Sequence, residues 1–535
     1  MIRDIQKNRI KEFLQVKGLD WKVLILDKKT HEIISPLLKI NELRECGVTS
    51  HFMLKSNRNR ISDTPAIYFV EGNKENVEII INDIQKGLYV GFYLNFVNSI
   101  DRRTLETLAF ELSKKGVAFQ VKSVFDHFID FISLQNDLFI TNLKFSFKNL
   151  QNIETWKGIT NSLFGVFLCL NQKPLIIFQK KSDENFVPKN ISKMLESKIK
   201  NFEKIQSSRK KPLLIIIDRY FDLISPFEHV WNYSALIKDL MEFHLNRVQI
   251  EDEKEKNINY DLDPSDFFWM KNQNEFFPLV AEKVEKELLE YKKEVATQNI
   301  KENINKMNIH TVLEKAPEMS RRNEIMHSHM KLCLKLVEKI KERNIDDFYK
   351  IEKSKYKKNE LIDISEKGNE DDILRLAISL IKKEKEEILS ALLKKRNINN
   401  SCFEFVKNNI NLNTEDISNT GTSYTSVVSN VLGNIKKLLP LNTDMPISIL
   451  VENIWNKFKN GNVDGYDFYN LDGTGLCYDK EISSIIVFCL GGGTYAELKS
   501  LKVLENKIQI PIIYGSTEML NSKEFTEQIL ELNKN

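Results

Sequence analysis

The chain has little of what would mark a secreted, membrane-spanning or nucleic-acid-binding protein. Its 535 residues include only six cysteines (Cys46, Cys169, Cys333, Cys402, Cys477 and Cys489) and no C-x-x-C pair. That scarcity argues against a disulfide framework and a cysteine zinc site, and it fits thiols used as small hydrophobes in a reducing compartment. The longest apolar runs, such as "PLLIII" and "IIVFCL", are strand-sized and far below the roughly 20 residues needed to cross a bilayer. Any membrane contact is therefore expected to be peripheral. The opening "MIRDIQKNRIKEFL" is charged throughout and has no apolar stretch of signal-peptide length, so no secretory leader is expected. Charge of one sign is also missing: 78 basic and 75 acidic residues leave +3, dispersed along the chain, and this excludes the footprint of a basic nucleic-acid domain. Twelve prolines and 19 glycines leave little room for long disordered tracts.

What is present is the balance of a folded globular chain, 42% hydrophobic and 29% charged, and too long for one core. Length alone suggests roughly three or four domains. Ile2, Ile5, Ile10, Phe13 and Leu14 recur at helical spacing and predict an opening amphipathic helix that caps a neighbouring domain. "WKVLILD", "AIYFV" and a segment within "GLYVGFYLNFV" read as buried strands. They alternate with the helical patterns "ENVEIIINDIQK" and "TLETLAFELSKKG", which argues for a doubly wound parallel α/β sheet over the first ~135 residues. "LFGVFLCL" and "PLIIFQ" continue that rhythm, and "PLLIIID" is the clearest strand of all. From Phe277 to about Lys407 the chain turns charge-rich and helical. There Val280, Val284, Leu288, Tyr291 and Val295 form a narrow apolar seam, and Leu332, Leu336 and Ile340 a second, as in a long hairpin. "NLNTEDISNTGTSY" reads as a loop, and an amphipathic helix with Val427, Val431, Ile435 and Leu438 on one face follows it. "IIVFCLGGGTYAELKSL" and "IPIIYGSTEML" return to strand, turn and helix. β-rich material thus flanks a helical insertion, and C-terminal strands are expected to complete the sheet that contains "PLLIIID".

Four passages invite chemistry. Gly491, Gly492 and Gly493 stand between a strand and a helix, where amides can cradle phosphate, but the Walker Lys-Ser/Thr pair and the G-x-G-x-x-G spacing are both missing. A tight turn is the plainer reading. Asp218, Asp222, Ser225 and His229 supply hydrolase parts without a nucleophile elbow, and Pro226 biases Ser225 toward extended backbone. The alternative is that the two aspartates accept hydrogen bonds from turn amides while Trp231 and Tyr233 pack between layers. "NVDGYDFYNLDGTG" lacks the order of a calcium loop and reads as a turn-rich connector. His327 and His329, two apart on a helix, point to different faces and do not make a metal pair. No cofactor, metal or catalytic residue is expected. An α/β nucleotide-binding or hydrolytic enzyme using the Gly491–Gly493 turn stands as the alternative.

Longer strings carry more information. "PLLIIIDRYFDLISPFEHVWNYSALIKDL" resembles the signature segment of the Sec/Munc (SM) family of SNARE-assembly proteins, a strand ending in D-R-x-x-D-x-x-x-P before a W-x-Y-x-A-L helix. "IIVFCLGGGTYAEL" with "IIYGSTEML" is similar to that family's glycine turn and last strand. "WKVLILDKKTHEIISPLLKINELRECGVTSHFML" and "VFDHFIDFISLQNDLF" look most like its Sly-type branch, which acts between endoplasmic reticulum and Golgi.

The resemblance implies a three-domain arch: domain 1 over 1–137, domain 2 over 138–240 plus 476–535, and a largely helical domain 3 (241–475) inserted in domain 2. It implies a non-enzymatic, monomeric protein that binds a syntaxin-type Qa-SNARE through its N-terminal peptide and SNARE motif and promotes SNARE assembly for vesicle fusion. An R-SNARE would lie on the hairpin, tethering factors would recruit the protein, and it would sit on ER and Golgi membranes through its SNAREs. The peptide pocket maps to Leu105, Leu108 and Ala109, with Val121 and Val124. The competing reading is that these five side chains face the core. Lys39 aligns with a basic residue of the central cleft, whose neighbouring acidic position is Phe52 here. The hairpin template maps to about 279–340 with Pro317 as a hinge, because proline removes a helix donor. The Asn411–Leu439 loop and helix map to a lid, with an ordinary core helix as the alternative.

Overall fold

The computed structural model describes all residues except 1, 182, 184, 203–204, 207–209, 251–257, 303–308, 354–355, 411–443, 462–464, 471–481 and 533–535. It divides into two compact units. The first comprises Met1–Asp218, Val451–Gly493 and Glu505–Glu518, and the second Arg219–Leu450, Thr494–Leu504 and Met519–Asn535.

The first unit holds two sheets. Strands β1 (Lys22–Leu26), β2 (Val48–Met53), β3 (Ala66–Val70), β4 (Phe92–Phe96) and β5 (Val121–Asp126) are all parallel, in the order β2-β1-β3-β4-β5. The alternation of strand and helix predicts this arrangement, because parallel neighbours need a crossover between them. The apolar run of β1 stops at Asp27 because that carboxylate caps the next helix. It accepts a hydrogen bond from the Thr30 amide at 2.9 Å and ties in the Glu71 amide at 2.7 Å. The opening helix, Ile2–Leu14, buries Ile2, Ile10 and Leu14, as its spacing predicts.

The second sheet joins distant segments. It contains β6 (Ile132–Gln135), β7 (Leu138–Ile140), β8 (Leu175–Gln179), β9 (Lys211–Asp218), and three later strands: β13 (Tyr466–Asn470), β14 (Ile482–Leu490) and β15 (Ile512–Ser516). Their order is β13-β8-β9-β14-β15-β7-β6. The "PLLIIID" strand β9 lies in parallel register with β14, Leu213 opposite Ile485 and Ile217 opposite Cys489, so C-terminal strands do complete this sheet. Both strands are buried along almost their whole length, which explains why each reads as a continuous apolar run and not an alternating one. "LFGVFLCL" is the end of the Ile153–Leu170 helix and "PLIIFQ" is β8. The described core of "NVDGYDFYNLDGTG" is not the connector that its turn formers suggest but the edge strand β13, antiparallel to β8. The aspartates and flanking glycines obscured Tyr466, Phe468 and Tyr469, whose aromatic side chains suit a half-buried strand.

The second unit is mainly helical, with a small antiparallel sheet of β10 (Glu242–His244), β11 (Arg247–Ile250) and β12 (Ile258–Asp261). Its longest elements are the helices Phe277–Glu302 and Ile309–Arg343, packed as a hairpin. Val280, Val284 and Leu288 on one, and Leu332, Leu336 and Ile340 on the other, are buried. The ion pair of Arg322 with Glu287, 2.7 Å, links the two helices.

Candidate interaction surfaces

The passage that most resembles catalytic machinery is structural. Asp222 Oδ1 accepts the amides of Ile224 and Ser225, both at 3.1 Å, so the acid fastens the turn after β9. His229 is fully buried and does not approach a nucleophile: its Nδ1 meets Glu352 Oε1 at 2.7 Å and its Nε2 meets Asp372 Oδ1 at 3.3 Å. Asp372 also takes the Arg343 guanidinium, and Arg375 binds Asp239 and the carbonyls of Phe227 and Glu228. Burial pulls the His229 pKa down and Arg375 adds to that, but the carboxylates of Glu352 and Asp372 outweigh both and raise it. Burial alone would raise Asp372, yet His229 and Arg343 hold it well below the usual carboxylate range. Trp231 and Tyr233 are buried in an aromatic cluster, Trp231 edge-on to Tyr349 and Tyr233 edge-on to Trp269. His329 is bonded to Tyr233 and Asp266 while His327 is exposed, the split their spacing predicts.

The glycine turn offers no phosphate cradle. The Gly491 amide donates to Thr517 Oγ1 at 3.1 Å and the Gly493 amide to the Glu518 carbonyl at 2.9 Å. Gly491 and Gly492 have φ of 89° and 104°, and a Cβ on Gly493 would fall 2.9 Å from Tyr514 Cζ, so the glycines are there for left-handed backbone and close packing. The nucleotide-binding alternative loses its site. Among the described residues, no group of three His, Cys, Asp or Glu could hold a metal ion, and no helix is long and apolar enough to cross a membrane.

An apolar surface does exist on the first unit, along the Arg102–Lys114 helix and edge strand β5. Asp101 starts that helix by accepting the amides of Arg103 and Thr104, both at 3.1 Å. Its "LETLAFEL" pattern then divides. Leu108 and Leu112 turn inward to the core of Val77, Ile80, Phe92 and Leu94, while Leu105 and Ala109 face solvent. On the neighbouring segment Val121 packs partly against that core and Val124 is exposed. Of the five residues mapped to a peptide pocket, Leu105, Ala109 and Val124 thus offer surface, whereas Leu108 supports it from beneath. The residues not singled out in the sequence are Phe110, Phe119 and Phe125, exposed by 64%, 72% and 56%. The signal was available: three phenylalanines within sixteen residues is more than one helix face and one edge strand can bury. Exposed aromatic side chains in this number mark the surroundings of an interaction site.

Lys39 is an exposed residue preceding the Ile40–Glu45 helix, where its amide donates to Glu42 at 3.3 Å, and Phe52 packs half-buried against the core. Pro317 lies within the Ile309–Arg343 helix, which runs without a break across that position. Val427, Val431, Ile435 and Leu438, with the rest of the mapped lid, lie outside the described residues.

Comparison with known proteins is consistent over the full length. The profile of the Sec1 family matches residues 22–528. The SEC1 family transport protein SLY1 of Encephalitozoon cuniculi is 44% identical over 529 residues, 99% of each chain. Protein sly1 of Schizosaccharomyces pombe is 30% identical, covering 96% of this chain and 93% of its own. Among solved structures, Sly1p in complex with an N-terminal peptide of Sed5p superposes with a TM-score of 0.84 at 26% identity, covering 100% of this chain and 99% of that one. The SM protein Vps45 in complex with the Qa SNARE Tlg2 gives 0.81 at 18% identity, covering 100% and 98%, and shares the fold.

Proposed function

The chain belongs to the Sec1 family of non-enzymatic SNARE regulators, and from that premise we propose that it is a Sly-type member that binds a Qa-SNARE of ER-to-Golgi transport and promotes SNARE assembly. The observation that carries this reading is the likeness, along the whole chain, to a Sly1p that holds an N-terminal Sed5p peptide. In this chain the exposed apolar face of Leu105, Ala109 and Val124, with Phe119 exposed on the segment between them, is the natural seat for such a peptide. A disordered segment with one or two apolar anchors needs only a shallow helix-and-strand surface, and a few buried side chains supply most of its affinity.

The hairpin then serves as the template. SNARE motifs lose conformational entropy when they zip, and a preformed two-helix surface fixes their register beforehand, which reduces that cost. Leu289 and Leu334, exposed by 51% and 63% on the hairpin helices, are the side chains we assign to an R-SNARE. Lys39 is assigned to the syntaxin-contacting cleft and Pro317 to a hinge, with domain 1 taken as 1–137. The protein would reach ER and Golgi membranes through these partners and tethering factors.

Fluorescence anisotropy with labelled N-terminal peptides of the organism's syntaxins tests the reading. One of them should bind, and Leu105→Lys should weaken it by at least about tenfold, 1.4 kcal/mol. Equal affinity in that variant would move the site elsewhere, and no binding by any syntaxin peptide would remove the proposal.

A further inference from the structure

A groove of about 410 Å³ lies in the first unit between the Ile153–Leu170 and Val187–Lys200 helices, lined among others by Lys157, Thr160, Asn161, Lys193, Ser197 and Lys198, and among the described residues no carboxylate lines it. Thr160 is only 3% exposed yet its hydroxyl has no hydrogen-bond partner, although a helical threonine ordinarily donates to the carbonyl four residues back. A buried hydroxyl left unmade costs about 1–3 kcal/mol, so the wall of the groove holds a polar group that the two helices leave unsatisfied.

Lys198 adds the second observation. Its ammonium bonds the Asn161 side-chain oxygen, a neutral partner, and lies 4.9 Å from the Phe164 ring and 5.9 Å from Phe128. Burial lowers its pKa against the field of Asp130, but that carboxylate is already paired with Lys29 at 2.7 Å. A half-buried cation is therefore held in place by ring faces and an amide, with Lys193 exposed on the same helix and Lys157 across the groove. Lys157 is partly neutralised by Glu154, 2.6 Å away on the surface. A second groove nearby, lined by Lys180, Lys181 and Lys189, is a poorer candidate because it contains its own counter-charges, Asp183 and Asp467.

We propose that the groove between these helices binds a phosphate group, carried either by a soluble polyol phosphate or by a phosphorylated lipid headgroup. Lys198 and Lys193 donate charge-assisted hydrogen bonds to its oxygens, and the exposed Ser197 hydroxyl donates one more. Nothing in this assignment depends on how SNAREs are bound, and the apolar face of the Arg102–Lys114 helix has no part in it.

Calorimetry of the full chain with inositol 1,4,5-trisphosphate and with pyrophosphate tests the site. Flotation with phosphatidylcholine vesicles, plain or doped with phosphatidylinositol 4,5-bisphosphate, distinguishes the two sources. Micromolar binding is expected, about tenfold weaker in Lys198→Met and Lys193→Gln and more modestly weakened in Ser197→Ala. Vesicle capture lost in the same variants assigns the lipid source, and binding of the soluble phosphates alone assigns the free one. If Lys198→Met lowers the melting temperature, the test rests on Lys193→Gln, whose side chain is exposed. The proposal is overturned if the protein ignores every probe at millimolar concentration, or if all three weakening variants bind like the parent.

Discussion

Two regions, one in each unit, use polarity in opposite ways. On the first, Leu105, Phe119, Val124 and Phe125 stand outside, exposed by 38%, 72%, 38% and 56%. In the second, His229, Asp372 and Arg375 are placed where almost no solvent reaches. An exposed apolar face contributes nothing to folding and is waiting for a partner, whereas a buried charge network is costly to desolvate and is kept only because every member is paired. Peptide binding at the apolar face and the stability held by the network should therefore respond to different substitutions.

The largest effect should come from the buried network. Arg375→Met removes the cation that faces Asp239, Asp371 and Asp372 and frees the carbonyls of Phe227 and Glu228. Losing one partner of such a cluster costs about 3–5 kcal/mol, because the remaining charges stay buried. The check is the urea midpoint together with amide exchange around Phe348 and Tyr349, with peptide binding at the first unit unchanged. A midpoint equal to that of the parent would mean that the network is not what holds this unit.

The comparison can be sharpened within one helix. Leu108 and Leu105 are a single turn apart on the Arg102–Lys114 helix, one 2% exposed and the other 38%. Leu108→Ala should destabilise by about 2–5 kcal/mol through the cavity it leaves. Leu105→Ala should stay within about 0.5 kcal/mol in the same unfolding experiment, and Leu105→Lys should lose peptide. Were Leu105→Ala the more destabilising of the two, the apolar face would belong to the core after all.

Much of this was legible in the sequence, for reasons that differ by element. The strands β1, β3 and β9 declare themselves because a strand buried on both faces is an unbroken apolar run. The division of "LETLAFEL" into inward and outward faces was not legible, since its leucines and alanine look equally apolar and only the sheet beneath decides which are covered. β13 was hidden for the converse reason: an edge strand paired on one side tolerates Asp467 and the turn formers around it. The roles of Asp222 and His229 were half legible. Pro226 and the missing elbow argued against catalysis, but the partners Glu352 and Asp372 are more than a hundred residues away, where no local pattern reaches.

The smallest predicted effect separates the units by pH, because each holds a histidine, half-buried in the first and fully buried in the second, with the opposite consequence. His127, in the first unit, bonds Asn95 at 2.8 Å and packs 4.4 Å from the Phe13 ring; burial, helped by Arg9, lowers its pKa to about 4. The unfolded chain then binds the extra proton between about pH 4 and 6.5, so this histidine withdraws stability as pH falls through that window and contributes nothing above it. His229, in the second unit, is raised by Glu352 and Asp372 despite its burial and the nearby Arg375. Its stabilisation is complete below the unfolded value of about 6.5 and is lost as pH rises through the folded one. The depressed Asp372 complicates neither limb, since its contribution is lost only in stronger acid as pH falls through its folded value. Exchange protection at Leu94 and Asn95 in β4 should accordingly fall from pH 6.5 toward 4, and protection at Phe348 should fall from pH 6.5 upward, after correction for intrinsic exchange rates. His127→Gln should flatten only the first slope and His229→Gln only the second. A single common slope in both units would show that neither imidazole is held as its neighbours dictate.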